Sequence, residues 1–288
     1  MKRITTISAL PPRKADAHKG NFGRVLIVAG SKGMSGAAVL CGSAALRSGA
    51  GLVTVASPPD AQPIVAAGNP CFMTAAIPQT SAGQFNHHSA DAILQLADDA
   101  DVVAIGPGLG NRPDVAELLK ALLTALPGMP LVLDADALNV LNLDWLTNHT
   151  VPPVLTPHPG EFARLRNKTI AEIQGDRERK AYRFAEMHKI ILTLKGHGTI
   201  VTDGERIYTN ETGNPGMATG GSGDVLTGCI AALIAQRMPS YDAAVLGVWA
   251  HGRAGDRVAE RIGQTGLIAG DLVSELPLAF RDVPPPAP

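Results

Sequence analysis

A glycine-rich segment is the part of this sequence best suited to chemistry. Residues 213–224 read GNPGMATGGSGD and run directly into an apolar helical pattern, VLTGCIAALIAQ. Closely spaced glycines let the backbone approach a ligand, and the start of a helix adds unpaired N–H groups and a positive dipole end. The segment therefore predicts an anion-binding pocket of the kind that holds a nucleotide phosphate.

Asp224 lies at the edge of this predicted pocket. A carboxylate there could accept the proton of a substrate hydroxyl as that oxygen attacks a phosphoryl group. Because the helix start also stabilises the ionised carboxylate, we expect Asp224 to contribute position more than basicity. The alternative is that Ser222 or Asp224 only caps the helix and the glycines form a tight turn. Five glycines within residues 213–223 favour the ligand interpretation.

Further candidate residues follow predicted strands. Lys195 ends the apolar run IILTLKG, and Gly106–Gly108 ends the run VVAIGPG. Because the carboxyl ends of parallel strands form the ligand crevice of α/β proteins, we expect both on one rim. His158 lies between two prolines that restrict its backbone, which suits a hydrogen-bonding contact with a ligand better than proton transfer.

The roles of the remaining acidic candidates stay open. Asp134 and Asp136 are two residues apart on a predicted strand, so they could share an ion or equally cap the helix that begins near residue 137. Glu161 could hold Mg²⁺ through water or stabilise the start of the next helix. His251 falls in an apolar helical stretch, where packing explains it better than catalysis. The metal ligands therefore remain unassigned.

Composition excludes several classes of protein. The chain has 288 residues, 45% hydrophobic and 18% charged, and its net charge of −1 leaves no electrostatic footprint for nucleic acid. Three scattered cysteines predict neither a disulfide framework nor a zinc site. The first 20 residues lack the apolar core of a signal peptide, and no run reaches the length of a membrane helix. We therefore expect a cytoplasmic protein without nucleic-acid or membrane partners.

The elements that must position these residues alternate between short apolar strands and helical patterns. The strand candidates cover residues 24–30, 52–58, 102–108, 131–137, 153–160 and 190–196, and the helical patterns cover 35–48, 113–126, 176–188, 224–236 and 241–261. Nearly continuous apolar runs indicate strands buried on both faces, and hence a mostly parallel sheet covered by helices on both sides. Asp203-Gly204 predicts a terminal antiparallel hairpin between residues 199–204 and 206–210. We predict one α/β domain over residues 1–288, with residues 1–20 and 283–288 peripheral.

Five motifs together resemble those of the ADP-dependent (S)-NAD(P)H-hydrate dehydratases, a family of the ribokinase-like superfamily. They are HKGNFGRVLIVAGSKGMSGAAVL from residue 18, GPGLG from residue 106, TPHPGEFARL from residue 156, KGHGT from residue 195 and GNPGMATGGSGDVLTG from residue 213. The motifs span nearly the whole chain, and the resemblance implies a ribokinase-like fold.

The resemblance also implies an activity. A member of this family removes water from the S epimer of hydrated NADH or NADPH (NADHX or NADPHX), with ADP as co-substrate and AMP and phosphate as products. Because phosphoryl transfer generally needs Mg²⁺, we also expect Mg²⁺ as cofactor. The hydroxyl of the hydrate is phosphorylated first, and phosphate leaves as the ring double bond re-forms. The residues implied are Lys195, Gly196, His197, Gly198, Thr199 and Gly223 for the adenylate, and Ala37, Gly108, His158 and Asp224 for the hydrated nucleotide, with Asp224 as the base. Ala37 taken alone is better explained by close packing.

The resemblance further implies a homo-oligomer, a tetramer, and a separate NAD(P)HX epimerase as functional partner, unless the epimers exchange spontaneously. Many family members carry an epimerase domain ahead of the dehydratase, and 288 residues leave no room for one. The first alternative is a ribokinase-like kinase of a vitamin precursor, which would use Asp224 in the same way. Residues 157–161 and 195–199 resemble the dehydratases more closely. The second alternative is a non-catalytic adenylate-binding protein, for which a carboxylate beside phosphates would bring no advantage.

Overall fold

The computed structural model describes residues 1–110 and 112–283 and contains one ten-stranded sheet. The strands are β1 (Lys2–Arg3), β2 (Arg24–Val28), β3 (Leu52–Ser57), β4 (Met73–Ala76), β5 (Val102–Ile105), β6 (Leu131–Leu133), β7 (Val154–Leu155), β8 (Ile191–Leu194), β9 (Ile200–Thr202) and β10 (Arg206–Thr209). The helices are α1 (Ser35–Arg47), α2 (Gln62–Gly68), α3 (Ser89–Ala97), α4 (Pro113–Ala125), α5 (Asp136–Val140), α6 (Pro159–Leu165), α7 (Ile170–Gln174), α8 (Arg177–His188), α9 (Ser222–Ala235), α10 (Ser240–Ile262) and α11 (Ala269–Arg281).

The sheet has the order β1-β10-β9-β8-β7-β6-β5-β2-β3-β4. Strands β2 to β8 run parallel to one another, whereas β9 is antiparallel to both β8 and β10. The predicted hairpin is confirmed, and its turn contains Gly204 at φ +85°. In the sheet, β3 and β4 lie on one side of β2, and β5 lies on the other side. The strand order therefore reverses between β2 and β5, which is where ligands bind in open α/β sheets.

Burial of the strands on both faces explains their continuous apolar runs. Along β2, Val25 and Ile27 belong to one hydrophobic cluster, and Leu26 and Val28 belong to another. Successive strand residues point to opposite faces, so each face of the sheet has its own core. Helices α1, α9, α10 and α11 cover the first cluster, and helices α3 to α8 contribute to the second.

Helix α9 is the most deeply buried helix on the first face, with residues 225–235 all buried. It crosses α1 closely enough that a Cβ atom at Gly228 would lie 2.0 Å from the carbonyl oxygen of Cys41. Only glycine permits this approach, and the contact places the start of α9 beside the start of α1 at the sheet edge.

Several predicted strands are shorter in the structure. The predicted strands 131–137 and 153–160 end at Leu133 and Leu155, because helices α5 and α6 begin at Asp136 and Pro159. Helices α2, α3, α7 and α11 and strands β1 and β4 carry no prediction. Residues 1–20 are mostly exposed but attached, since β1 pairs with β10 and the Arg13 guanidinium donates to the Gly49 carbonyl oxygen at 2.7 Å. Residues 284–288 of the predicted peripheral tail lie outside the described residues.

Within residues 1–110 and 112–283, no helix is both long and apolar enough to cross a membrane.

Candidate active site

The candidate residues converge at the carboxyl edge of the parallel strands. The loop after β2 leads to Ala37, the loop after β5 contains Gly108, and the loop after β7 contains His158. Lys195 begins the loop after β8, and its backbone N–H donates to the Pro157 carbonyl oxygen at 2.9 Å, which joins the last two loops. Lys195 and Gly108 thus follow parallel strands at the same edge of the sheet, as expected from the sequence.

A cavity of about 760 Å³ opens at this edge, and every residue predicted to bind the adenylate lines it. Residues 195–199 line one wall and residues 212–215, 217 and 218 line another, and Ser222 and Gly223 at the start of α9 also line the cavity. Leu226, Val248 and Met217 supply apolar surface. A cavity of this size with convergent N–H groups suits a nucleotide.

The start of α9 has the geometry of an anion pocket. Gly221 is the N-cap at φ +89°, and the hydroxyl of Ser222 is buried with no hydrogen-bond partner among the described residues. A Cβ atom at Gly223 would lie 3.0 Å from Lys195 Nζ, so only glycine leaves the ammonium beside the helix start. The alternative in which Ser222 caps the helix is therefore not observed, and its hydroxyl is left for a ligand.

A buried ion pair lies directly beneath this pocket. Asp134 is 1% exposed, and its two carboxylate oxygens accept hydrogen bonds from Lys195 Nζ at 2.8 Å and from Thr227 Oγ1 at 2.7 Å. Burial alone would lower the pKa of Lys195, but the charges of Asp134 and Glu161 more than reverse that effect and raise it. Lys195 therefore remains a cation that faces the phosphate site from below.

Asp224 is a stronger base than the sequence suggests. Burial, reinforced by the charge of Asp134, raises the pKa of Asp224 to about 7, although Lys195 opposes the shift. The expectation that the helix start would make Asp224 a weak base is wrong, because desolvation and a like charge outweigh the helix dipole. A pKa near the working pH is the property of an effective general base.

His158 presents a single defined donor to the rim. The backbone N–H groups of Gly160 and Glu161 donate to its Nδ1 at 2.9 and 3.3 Å, so in the neutral ring the proton resides on Nε2. Burial and the charge of Lys195 lower the pKa of His158, which keeps the ring neutral. The side chain is 50% exposed, which leaves the Nε2–H group accessible to a ligand.

We expect His158→Asn to raise the KM for the hydrated nucleotide about tenfold, because one hydrogen bond to the ligand is lost. Tm should change little. Asparagine can still cap α6 through its side-chain oxygen, whereas His158→Ala loses the cap as well and should be about 1 kcal/mol less stable. Initial rates and thermal melts of both variants separate binding from capping. Equal KM values for His158→Asn and the wild type would remove His158 from the binding site.

Ala37 and Gly108 form the opposite side of the rim. Gly108 adopts φ +67°, and a Cβ atom there would lie 3.0 Å from Met34 Cβ and 3.3 Å from Ala37 Cβ. The structure thus brings together two residues that are 71 positions apart in the chain, at the strand-order reversal between β2 and β5. Small residues at both positions bring backbone close to any ligand bound there.

The carboxylates of Asp134 and Asp136 have different hydrogen-bond partners. Strand β6 ends at Leu133 and Ala135 turns the chain at φ +49°, so the two carboxylates bond different partners. Asp136 stands at the first position of α5 and accepts a hydrogen bond from the Gly110 N–H at 2.8 Å. The expectation that they face the same side of a strand is wrong, because the strand has already ended.

Two further residues shape the site: Thr227, which the sequence does not single out, and His251, which the sequence assigns to packing. Thr227 holds Asp134 from one turn inside α9, and His251 on α10 places Nε2 2.9 Å from the Ser222 carbonyl oxygen. Burial lowers the pKa of His251 to about 4, so the neutral ring donates this bond and steadies the start of α9. Packing thus describes His251 well, although it also lines the cavity. No spacing in the sequence points to either contact.

The oxygen donors at the site can be compared with what Mg²⁺, which phosphoryl transfer generally needs, requires of its ligands. Glu161 Oε2 accepts a hydrogen bond from the His158 backbone N–H at 2.7 Å, which supports the alternative that Glu161 stabilises the helix start. Among the described residues, the other oxygen, Oε1, contacts His158 Nε2 at 3.4 Å. Mg²⁺ prefers carboxylate, water and phosphate oxygens and rarely a closed protein cage, so Glu161 fits as a water-mediated ligand. Within the described residues, the one group of three metal-ligating side chains within 4.8 Å lies elsewhere, at His87, Asp114 and Glu117.

Comparisons with known proteins agree with this geometry. The bifunctional NAD(P)H-hydrate repair enzyme of Moorella thermoacetica is 48% identical over 280 residues, which cover 96% of this chain and 52% of that enzyme. The chain thus spans about half the length of this relative. The ADP-dependent (S)-NAD(P)H-hydrate dehydratase of Neisseria meningitidis serogroup B is 40% identical over 267 residues, covering 90% of this chain and 86% of that enzyme.

Solved structures agree as well. The ADP/ATP-dependent NAD(P)H-hydrate dehydratase of Bacillus subtilis, co-crystallised with ATP and Mg²⁺, superposes with a TM-score of 0.80 at 30% identity, covering 96% of this chain and 95% of the other. A ribokinase of Arabidopsis thaliana, at a TM-score of 0.52 and 14% identity, shares the fold alone. The fold is therefore ribokinase-like, as expected. Because the family model described as NAD(P)H-hydrate dehydratase matches residues 25–278, the chain belongs to that family.

Proposed function

We propose that this protein dehydrates the S epimer of NADHX and NADPHX at the expense of ADP, releasing AMP and phosphate. The observation that carries the proposal is the placement of Asp224, a carboxylate with a pKa of about 7, at the helix start that closes the nucleotide-sized cavity. The names of the relatives from Neisseria meningitidis and Bacillus subtilis support the same activity.

In this proposal the adenylate occupies the cavity. Lys195, Gly196, His197, Gly198 and Thr199 hold it from one side, and Gly223 binds its terminal phosphate with the N–H groups of the helix start. The ammonium of Lys195, held by Asp134 at 2.8 Å, offsets the phosphate charge. Charge-assisted donors placed before the reaction stabilise the negative charge that phosphoryl transfer spreads over the phosphate oxygens.

The hydrated nicotinamide lies on the other side of Asp224, against Ala37 and Gly108, with His158 Nε2–H as a donor. Asp224 accepts the hydroxyl proton as the oxygen forms a bond to the β-phosphorus of ADP, and the bond from that phosphorus to the bridging oxygen breaks to release AMP. Phosphate then leaves with the electrons of the carbon–oxygen bond, and a ring proton is lost as the double bond re-forms. When bound near Glu161, Mg²⁺ would neutralise part of the phosphate charge.

A direct assay tests the proposal. The protein is incubated with NADHX in parallel with ADP and with ATP, and the absorbance of reduced nicotinamide is followed. Appearance of NADH with release of AMP and phosphate from ADP supports the proposal. Phosphorylation of a vitamin precursor without NADH formation would favour the kinase, and nucleotide binding without any turnover would favour the non-catalytic protein.

We expect the kcat/KM for the hydrated nucleotide to rise with pH and to level off above about pH 7. Asp224 must be ionised to accept a proton, and its raised pKa means that the ionised fraction falls about tenfold per pH unit below 7. A pH–rate profile at saturating ADP measures the midpoint.

Asp136→Asn provides the control for that profile. The charge of Asp136 also raises the pKa of Asp224, and asparagine can keep the hydrogen bond from Gly110. The midpoint should therefore move to lower pH in this variant, whereas a midpoint that belonged to the phosphates of ADP would stay in place.

The proposal extends to organisation and partners. One domain over residues 1–288 follows from the pattern of strands and helices. A homotetramer and a separate NAD(P)HX epimerase as functional partner follow from the family resemblance. One sheet that joins strands from Lys2 to Thr209 supports the single domain. Light scattering during size-exclusion chromatography checks the tetramer directly.

A further inference from the structure

The loop 195–199 is held from behind by Arg177, the first residue of α8. Arg177 Nη1 donates to the carbonyl oxygen of His197 at 2.6 Å, and Nη2 donates to the carbonyl oxygens of Lys195 at 3.0 Å and Leu194 at 3.3 Å. Burial lowers the pKa of Arg177, but arginine stays charged in proteins. These are therefore charge-assisted bonds to two carbonyl groups of the loop and to the last carbonyl group of β8.

The other contacts of the loop follow the same pattern. The carbonyl oxygen of Gly196 accepts from Thr199 Oγ1 at 2.9 Å, and that of Thr199 accepts from the Asn210 N–H at 2.8 Å. By contrast, the N–H groups of Gly196, His197 and Gly198 donate to no protein acceptor within residues 1–110 and 112–283. The carbonyl oxygens of Lys195, Gly196, His197 and Thr199 are thus occupied. Because the loop lines the cavity, its three unused N–H groups are left for a ligand.

The glycines of the loop fit this arrangement. Gly196 has φ +131°, and a Cβ atom there would lie 3.0 Å from Arg177 Nη2. The backbone thus approaches the guanidinium as closely as a residue without a side chain allows. The guanidinium of Arg177 has two terminal nitrogens, one for the carbonyl group of His197 and one for that of Lys195. A lysine has a single nitrogen and could not bond both carbonyl groups in the same way.

We propose that Arg177 is a positioning residue for the nucleotide: its guanidinium holds the carbonyl oxygens of Lys195 and His197 away from the cavity, so that the loop N–H groups face the anionic ligand. Without Arg177, these carbonyl oxygens could turn toward the phosphates. Their partial negative charge would repel the phosphate oxygens and weaken nucleotide binding. The inference rests on the proposed function only for the identity of the nucleotide, because the contacts stand without it.

Calorimetric titration with ADP tests the proposal on Arg177→Gln and Arg177→Lys. We expect the Kd for ADP to rise about tenfold or more in both variants, which corresponds to the loss of one charge-assisted hydrogen bond. Arg179→Gln is the matched control, because it removes an exposed arginine from the same helix and should leave Kd unchanged. In steady-state assays the KM for ADP should rise while kcat and the KM for NADHX change much less.

The outcomes separate positioning from mere stability. A lower Tm with a wild-type Kd for ADP in either folded variant would overturn the proposal and leave Arg177 a structural role only. Should Arg177→Gln fail to fold, Arg177→Lys, which keeps the charge, carries the test. If the wild type binds ADP but does not dehydrate NADHX, the proposed function fails, and the Kd comparison still decides the role of Arg177.

Discussion

Replacing Asp224 with asparagine is expected to lower kcat about 10²-fold or more while leaving the Kd for ADP close to that of the wild type. Asparagine keeps the shape of the side chain but cannot accept the hydroxyl proton. The start of α9, with Gly221 as N-cap and the N–H groups that follow, does not depend on the carboxylate. Steady-state rates and calorimetric titration with ADP measure the two quantities independently.

The same substitution should stabilise the fold above neutral pH. The pKa of Asp224 is about 7 in the folded protein and about 4 in the unfolded chain. The free energy of unfolding therefore decreases as the pH rises from about 4 to 7, because the carboxylate ionises more readily in the unfolded chain. Asp224→Asn should therefore have a higher Tm than the wild type at about pH 8, with the difference closing toward pH 4. Asp91→Asn removes an exposed carboxylate from the first turn of α3, so it should leave kcat unchanged and lower Tm slightly, the opposite direction to Asp224→Asn. Turnover retained by Asp224→Asn would remove Asp224 from the mechanism.

Replacing Asp134 with alanine is expected to lower the free energy of unfolding by about 3 kcal/mol, because it leaves the Lys195 ammonium without its closest partner. Asp134 is 1% exposed and Lys195 is 19% exposed, so water compensates the lost bond only in part. The hydroxyl of Thr227 loses its acceptor as well. Urea denaturation at neutral pH measures the loss.

A double-mutant cycle shows whether the cost belongs to the ion pair. Asp134→Ala combined with Lys195→Met removes both charges, so the double variant should be more stable than the sum of the single effects implies. Lys168→Ala breaks the exposed pair with Glu172 and should cost less than about 1 kcal/mol. Strictly additive effects of the two site substitutions would show that Asp134 and Lys195 do not stabilise one another.

Much of the fold could be predicted from the sequence because the strands are buried on both faces. Such strands appear as apolar runs that end at glycine or proline, and six of them were located this way, although several end earlier than predicted. Strand β4 was missed because its residues, Met73–Ala76, are partly exposed at the edge of the sheet. Helix α2 was missed because it has only seven residues and contains a proline in its first turn.

In the site as well, features set by neighbouring residues could be predicted from the sequence, whereas contacts between distant residues could not. A local pattern was enough to place Gly223 and Asp224 at a helix start and Lys195 at a strand end, because the backbone geometry of such features depends on neighbouring residues. Asp134 was left between two alternatives, since its partners Lys195 and Thr227 lie 61 and 93 positions away. Spacing along the chain carries no information about such contacts.

The order of residues alone was sufficient for the family resemblance, the parallel α/β sheet and the rim on which the ligand-binding candidates lie. Only the folded arrangement showed that Asp134 pairs with Lys195, that Arg177 occupies the carbonyl groups of the loop 195–199, and that Asp224 titrates near pH 7. The physical reason is that backbone turns arise from adjacent residues, whereas the pKa of a carboxylate depends on distant charges and on the water that packing excludes.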